Sequence, residues 1–394
     1  MQIQTVLQSY LTRKLGHIPS GSLRLTLPSG IALALNGEQP GVEASIHFHN
    51  WMGAWRLVTG GSMGLAEGYL KGDWTTDSIE DVLMFFAAND ETFGAQAGQA
   101  WPLRVWNGVK HWRNENSKDQ SAKNIHYHYD LGNDFYSRWL DPTMTYSSGM
   151  YASPSEPLET AQARKFRNLA TLGQVNESDK VLEIGCGWGG LLEFLGTEVK
   201  CQAKGITISQ EQFAFCKERI QKLGLGERID VELRDYRDVD QRFDKILSVE
   251  MFEAVGRKYW DTFFERCRAL LSAAGRVSMQ VITIDEKYED QYRRNVDFIQ
   301  KYVFPGGELP TAQNLEANGA RAGLKLTDDV DFGLSYAKTC EEWLGNFRAA
   351  WPGIANKGKF DDYFHRLWSY YLAYCRAGFA TRMISVRQVA YQPV

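Results

Sequence analysis

Apolar positions change their spacing several times along the chain, and each change predicts an element. Residues 22–35 alternate, with Leu23, Leu25 and Leu27 on one side and a second apolar run beyond Pro28-Ser29-Gly30, which predicts a hairpin. Residues 45–49 and 55–58 are further short runs with strand character. After Gly60-Gly61-Ser62 the spacing becomes helical over 63–71, and again over 79–88. Asp77 is placed as the N-cap of that second helix, with Glu80 completing a capping box three positions on. His47 and His49 fall on one side of a strand, but two imidazoles are too few ligands for a metal, so they read as structural.

Trp101, Val105, Val109 and Trp112 recur at helical spacing among Arg104, Lys110, His111 and Arg113. A basic, aromatic helix of this kind fits an anionic bilayer surface and equally fits packing on its own domain. Residues 114–124 are polar and aperiodic and read as a linker, dividing the chain into domains 1–115 and 116–394. Beyond it, apolar positions mark a helix over 158–172 and a buried strand over 180–184. Strand patterns at 201–208, 230–233, 243–249 and 277–282 then alternate with helical ones at 210–223 and 259–271. Such alternation predicts an α/β fold: a doubly wound, Rossmann-like parallel sheet, preceded by a smaller N-terminal α+β domain. Ligands in such sheets sit at the C-terminal strand ends, which here are Gly185 onward, Thr207, Asp235-Tyr236, Glu250 to Glu253, and Gln280.

The first sheet strand runs into Gly185-Cys186-Gly187-Trp188-Gly189-Gly190 and then a helical pattern. Glycines at a strand–helix turn let a ligand approach the backbone. A dinucleotide site would carry an acid at the end of the second strand. That strand ends Gly205-Ile206-Thr207-Ile208 without one, whereas Glu183 lies inside the first strand. The combination favours a nucleoside cofactor lacking a pyrophosphate, S-adenosylmethionine; the alternative is a tight turn with no ligand.

Composition narrows the classes further. Of 394 residues, 44% are hydrophobic and 23% charged, so a sizeable core can form. No window approaches the ~20 apolar residues of a membrane span, and residues 1–14 lack an apolar leader core, pointing to a cytoplasmic protein. Six cysteines without CxxC pairs read as reduced thiols, with no zinc site and no other metal expected. A formal charge of −4 leaves no nucleic-acid footprint. Twelve Trp and 13% aromatic residues suit a site for long apolar or cationic groups.

Several stretches read together carry a family resemblance: His128-Tyr129-Asp130-Leu131-Gly132-Asn133-Asp134-Phe135-Tyr136, Met144-Thr145-Tyr146-Ser147-Ser148, the glycine turn, Gly205-Ile206-Thr207-Ile208-Ser209-Gln210-Glu211-Gln212, Arg234-Asp235-Tyr236-Arg237-Asp238, Ser248-Val249-Glu250-Met251-Phe252-Glu253-Ala254-Val255-Gly256 and Tyr302-Val303-Phe304-Pro305-Gly306-Gly307-Glu308-Leu309-Pro310. From about residue 120 onward the chain closely resembles the cyclopropane-fatty-acyl-phospholipid synthases and mycolic acid cyclopropane synthases; the N-terminal unit matches their lipid-proximal domain more loosely. The resemblance implies methyl transfer from S-adenosylmethionine to the cis double bond of an unsaturated acyl chain in a phospholipid. A carbocation follows, in a pocket that excludes water, and proton loss closes the ring. Aromatic faces suit such a site because they attract cations without attacking them.

In the family the base resembles a bound bicarbonate. By position, its cradle here would comprise Glu253, Tyr336, the backbone of Ile282, Ser148 in place of Cys, and Gln280 in place of His. The resemblance gives the Ser148 hydroxyl the Cys hydrogen bond and leaves Gln280 able to donate but not to titrate. Ala254 replaces a second His. Cofactor contacts fall to Tyr146, Ser147, Glu183, Gly185, Gly187, Gly189, Thr207, Ser209, Gln212, Asp235 and Tyr236. His128 would organise a cofactor lid. Peripheral contact with the inner face of the membrane and a homodimer through the N-terminal domain are also implied. Three functions stand: ring formation as the default, methylene or methyl branching of the same substrate, favoured by Ser148, Gln280 and Ala254, and a non-catalytic lipid- and cofactor-binding protein.

Overall fold

Leu182, Ile184, Ile206, Ile246, Leu247, Val277, Met279 and Val281 are β-rich apolar residues that are all buried, and they form the centre of one sheet. A computed structural model describes residues 18–93, 131–356 and 358–394. The predicted helix around Trp101 to Trp112, the linker at 114–124, residues 1–14 and His128 lie outside the described residues. The chain forms two compact units, and no helix among the described residues is long and apolar enough to cross a membrane.

In the first unit, β1 (Ser20–Thr26), β2 (Ala32–Asn36), β3 (Gln39–Phe48) and β4 (Trp74–Thr75) make a four-stranded sheet of order β2-β1-β3-β4. The hairpin of β1 and β2 forms as its alternation predicts, whereas β1 and β3 run parallel. Residues 55–58 are not a strand. They lie in the helix Trp51–Lys71, which Asn50 caps by accepting from the Gly53 N–H and Gly72 ends in the left-handed region. A four-residue apolar run carries no period of its own, and the cap decides between helix and strand. The helix Ile79–Ala88 forms as predicted, but Ser78, not Asp77, is its cap, accepting from Asp81 N at 3.1 Å.

The unit is not continuous in sequence: residues 295–298 and 343–381 belong to it, in place of a single division near residue 115. The reason is apolar cover. The helix Ile79–Ala88 packs on β1 and β3, and the helix Asp362–Ala380 packs on it in turn. Arg348 forms a bidentate pair with Glu80, and Arg366 Nε donates to the Leu70 carbonyl at 2.9 Å.

The second unit holds β5 (Lys180–Ile184), β6 (Gln202–Thr207), β7 (Ile229–Leu233), β8 (Phe243–Val249), β9 (Leu271–Ile284), β10 (Leu324–Asp331) and β11 (Ile384–Pro393), in the order β10-β11-β9-β8-β5-β6-β7. Strands β5 to β9 pair in parallel, as the alternation predicts. The sheet as a whole is mixed, because β11 inserts antiparallel between β9 and β10. The helices Leu158–Leu172, Gln210–Lys222 and Trp260–Leu270 match their predicted spans within two residues. All six cysteines are free thiols, five of them buried.

Candidate active site

The site lies where β5 and β8 end. Ile184 pairs with Ser248 on adjacent parallel strands, so Gly185 and Glu250 follow the ends of neighbouring strands, offset by one residue in register. Gly185 has φ +81, and a Cβ there would meet the Met251 side chain at 2.5 Å, so the turn closes onto the β8 loop only with glycine. Gly187 differs: its φ is +52, yet nothing lies within 4 Å of where a Cβ would be. At Gly189 the Cys216 sulfur stands 3.1 Å from that point, so this glycine accommodates the helix Gln210–Lys222. One of the three glycines therefore borders open space, and two serve packing.

Over the turn lies the segment 131–148. Trp188 Nε1 donates to Asn133 Oδ1 at 2.7 Å, and Tyr136 approaches Trp188 and Tyr146 with ring centroids 4.9 and 5.4 Å apart. Trp139 meets Tyr146 edge-on, giving an aromatic wall beside the glycines. Glu183 is buried with Oε2 unpartnered, and burial pushes its pKa far up. An open glycine position, aromatic faces and a buried polar atom without a partner form a donor and acceptor set that fits a nucleoside sulfonium.

Other predicted cofactor residues are distributed unevenly. Ser209 caps the helix Gln210–Lys222, Thr207 Oγ1 donates to Gln212 Oε1 at 2.9 Å, and the Ser209 N–H donates to Thr207, so these three satisfy one another at the β6 end. The Asp235 carboxylate is held by Arg237 at 2.6 Å and caps its own turn. The Tyr236 ring turns into the core against Phe263, because the 3₁₀ turn that follows β7 faces it inward. Ser147 accepts from Lys165 Nζ at 2.7 Å through its hydroxyl and from Gln162 through its carbonyl at 2.9 Å.

Three of the predicted cradle residues, Ser148, Gln280 and Tyr336, meet around a side chain of the protein itself, while Ile282 and Glu253 pair with each other. Glu250, one residue past β8, accepts at Oε1 from the Ser148 backbone N–H (2.9 Å) and Gln280 Nε2 (2.7 Å). Its Oε2 accepts from the Tyr336 hydroxyl at 2.6 Å. Ser148 contributes its backbone and not its hydroxyl, contrary to expectation; the hydroxyl donates to the Gly149 carbonyl at 2.8 Å instead. Glu250 is held at φ +49, a left-handed conformation that costs a non-glycine residue of the order of 1 kcal/mol. Its own N–H donates to the Gln280 carbonyl at 2.8 Å, which anchors the strained residue to β9.

Gln280 is oriented by a run of amides. It pairs with Gln388 across the β9–β11 ladder, where Gln388 Nε2 donates to Gln280 Oε1 at 2.9 Å and to the Lys165 carbonyl at 3.0 Å. Gln388 Oε1 in turn accepts from Asn168 at 2.7 Å. With its oxygen so engaged, the Gln280 NH₂ turns the other way, donating to Glu250 at 2.7 Å and to the Ser148 carbonyl at 3.3 Å.

Two neighbouring groups titrate abnormally. Lys165 is fully buried, and burial brings its pKa down to about 7, with Glu250 opposing that effect. Glu253 accepts from the Ile282 N–H through Oε1 while its buried Oε2 has no partner; burial first, and the Glu250 charge second, push it up to about 8. Burial also raises Glu250, against the opposing effects of Lys165 and its three donors. Paired carboxylates in unlike surroundings divide acid and base roles, and the one that holds three donors is the one suited to carry charge.

The sequence marks Glu250 to Glu253 as a strand end, but the family resemblance gives a role there only to Glu253. Lys165, Asn168 and Gln388 had no local signal, since each lies on an element distant in sequence from the strand ends. No group of three or more His, Cys, Asp or Glu among the described residues could hold a metal.

A model of the mycolic acid cyclopropane synthetase family matches residues 116–389. The tuberculostearic acid methyltransferase UfaA1 of Mycobacterium tuberculosis is 34% identical over 392 residues, covering 96% of this chain and 88% of that protein. The cyclopropane-fatty-acyl-phospholipid synthase of Escherichia coli K12 is 36% identical over 372 residues, covering 93% and 91%. Among solved structures, the cyclopropane synthase MmaA2 from Mycobacterium tuberculosis superposes with a TM-score of 0.64 at 25% identity, covering 68% of this chain and 97% of that one. The mycolic acid cyclopropane synthase CmaA1, complexed with SAH and CTAB, gives 0.65 at 26% identity, covering 69% and 98%. With 274 of its 394 residues inside the family model, and with relatives of this likeness along most of its length, the chain belongs to the mycolic acid cyclopropane synthetase family and is a methyltransferase.

Proposed function

We propose that this enzyme methylates the cis double bond of an unsaturated fatty acyl chain in a phospholipid, using S-adenosylmethionine, with a cyclopropane ring as the product. The observation that carries the proposal is the carboxylate pair, Glu250 and Glu253, fixed beside the glycine turn by Ser148, Gln280, Tyr336 and Ile282. When bound, S-adenosylmethionine supplies an electrophilic methyl group. Gly185, Gly187 and Gly189 would border it, Glu183 would offer its unpartnered oxygen, and Tyr146 and Ser147 would cover the methionine part. Thr207, Ser209 and Gln212 shape the ribose and adenine side, with Asp235 and Tyr236 contributing backbone more than side chain.

The chain's own residues then have two tasks. Tyr146, partly exposed and backed by the buried rings of Tyr136 and Trp139, would exclude water from a cationic acyl chain and face it with π-electrons. A carboxylate at the β8 end removes the proton. Proton NMR of lipids from a bacterium lacking its own synthase and expressing this chain tests the product: upfield cyclopropane methylene signals are expected. Vinylidene or methyl-branch signals without them would replace ring formation by branching, the second reading. That reading draws support from Gln280, which cannot titrate, and from the name of the Mycobacterium tuberculosis relative.

Membrane contact is peripheral in this proposal. Met52 and Trp55, three positions apart on the helix Trp51–Lys71, are 52% and 51% exposed, and such an apolar pair suits the acyl boundary of a bilayer. Flotation with anionic liposomes should weaken when both become Ser, and unchanged flotation would remove this helix from the membrane role. A homodimer through the first unit completes the proposal, with light scattering as its check.

A further inference from the structure

We propose that Glu250 is the built-in base of this enzyme: its carboxylate fills the anion cradle of Ser148, Gln280 and Tyr336, so the reaction needs no bicarbonate. The inference rests on the proposed methylation, and it begins with a disagreement. The residues that the family resemblance assigns to an exogenous anion are present, but their donors converge on a protein carboxylate. Ser148 N and Gln280 Nε2 donate to Oε1, and Tyr336 Oη donates to Oε2. Ile282 N, the remaining donor, serves Glu253. A second anion would find those donors engaged and would meet the Glu250 carboxylate they hold, where like charges repel. The cradle as built does not fit bicarbonate.

Three further features mark the placement as specific. Glu250 sits in a left-handed conformation, which an unconstrained glutamate avoids. The Asn168–Gln388–Gln280 run fixes the donating end of Gln280 toward it. Buried Lys165 lies close enough to favour the ionised carboxylate. Glu250 also follows the strand beside the one that leads into Gly185, the turn at which the methyl donor is proposed to bind.

The step balances within the protein and the acyl chain. A C–H bond of the newly attached methyl group breaks, its electron pair goes to the neighbouring cationic carbon and closes the ring, and the proton forms an O–H bond on Glu250. In the branching reading a hydride first shifts from the methyl-bearing carbon to the neighbouring cationic carbon. A C–H bond of the methyl group then breaks, its pair forms the methylene double bond, and the proton again goes to Glu250. Glu250 returns the proton to solvent between turnovers.

The test compares wild type, Glu250→Gln and Glu250→Gly in carbonate-depleted buffer with and without added bicarbonate, using unsaturated phospholipid vesicles. Wild type is expected to be indifferent to bicarbonate. Glu250→Gln fills the cradle with an amide and should lose roughly 10²–10⁴-fold, the usual worth of a positioned base, with no rescue. Glu250→Gly vacates the cradle, and glycine accepts the left-handed backbone, so its activity should return in part with bicarbonate.

A second readout needs no turnover. In titrations with ¹³C-bicarbonate followed by NMR, Glu250→Gly should bind the ion and wild type should not. Binding of S-adenosylhomocysteine by calorimetry, within about twofold of wild type, shows that the variants are folded. Wild type that binds bicarbonate, or needs it for activity, or Glu250→Gln that keeps wild-type rates, would overturn the assignment. If wild type methylates no unsaturated lipid, the proposed function fails, while the bicarbonate titration still decides whether Glu250 holds the cradle.

Discussion

Glu253 offers a quantitative check on the electrostatics of the site. Its carboxyl is pushed up to about 8 by burial and by Glu250, against 4.5 ordinarily. A raised pKa makes ionisation costly in the folded state, so the associated stability is fully present below pH 4.5 and is lost as pH rises toward 8. Each pKa unit corresponds to about 1.4 kcal/mol. Between pH 5.5 and 7.5, wild type should therefore lose at most about 2–3 kcal/mol through this one group. Glu253→Gln keeps the acceptor for the Ile282 N–H and cannot ionise. Urea unfolding of both proteins at the two pH values gives the result directly. The stability gap should shift by about 2 kcal/mol in favour of Glu253→Gln at the higher pH, because all other titrating groups are common to both. A gap that stays constant within 0.5 kcal/mol, roughly the additivity error for independent sites, would mean that Glu253 is ionised throughout. The acid–base division between the two carboxylates would then be wrong.

Other expectations follow from the same contacts. Tyr336→Phe removes one of three donors on Glu250, so the pH at which activity half-develops should rise, read from the pH profile of kcat/KM. Gln388→Leu leaves the Gln280 oxygen and the Asn168 amide without their partner, at about 1–3 kcal/mol each in denaturant stability; kcat should fall with cofactor affinity unchanged, because the amide of Gln280 loses its fixed direction. Ser148→Ala should keep activity within a few-fold, since only the Ser148 backbone reaches Glu250; a large loss would restore the hydroxyl to the cradle. Gly187→Ala places a methyl in open space at φ +52, so calorimetry with S-adenosylhomocysteine should show at least tenfold weaker binding while stability falls by only about 1 kcal/mol.

Much of this molecule was legible before any coordinates. Periods of two and of three to four residues are local, and they located five parallel strands and the helices between them to within a few residues, β9 alone extending well beyond its predicted core. The glycine run after β5, the missing acid after β6 and the long motifs identified the cofactor class and the family. Failures arose where local pattern is degenerate. Residues 55–58 read as a strand because a short apolar run has no period, and the cap of the helix Ile79–Ala88 is placed one position early, at Asp77 and not Ser78, because both residue types are good caps. Strand β11 was not predicted, so neither was its antiparallel insertion.

The chemistry at the strand ends divides in the same way. Apolar patterning placed Glu250 to Glu253 and Gln280 near the ends of β8 and β9, because strand ends in such a sheet are set locally, while Tyr336 came only from the family resemblance. Only the tertiary structure decided which of them touch. Glu250 is joined to Ser148, 102 residues away in sequence, and to Tyr336, 86 residues away. Asn168 and Gln388, 220 residues apart, settle the direction of one amide. Such contacts depend on strand order and on the rotation of single side chains, neither of which leaves a periodic trace in the sequence. The identity of the group that takes the proton is therefore a property of the fold.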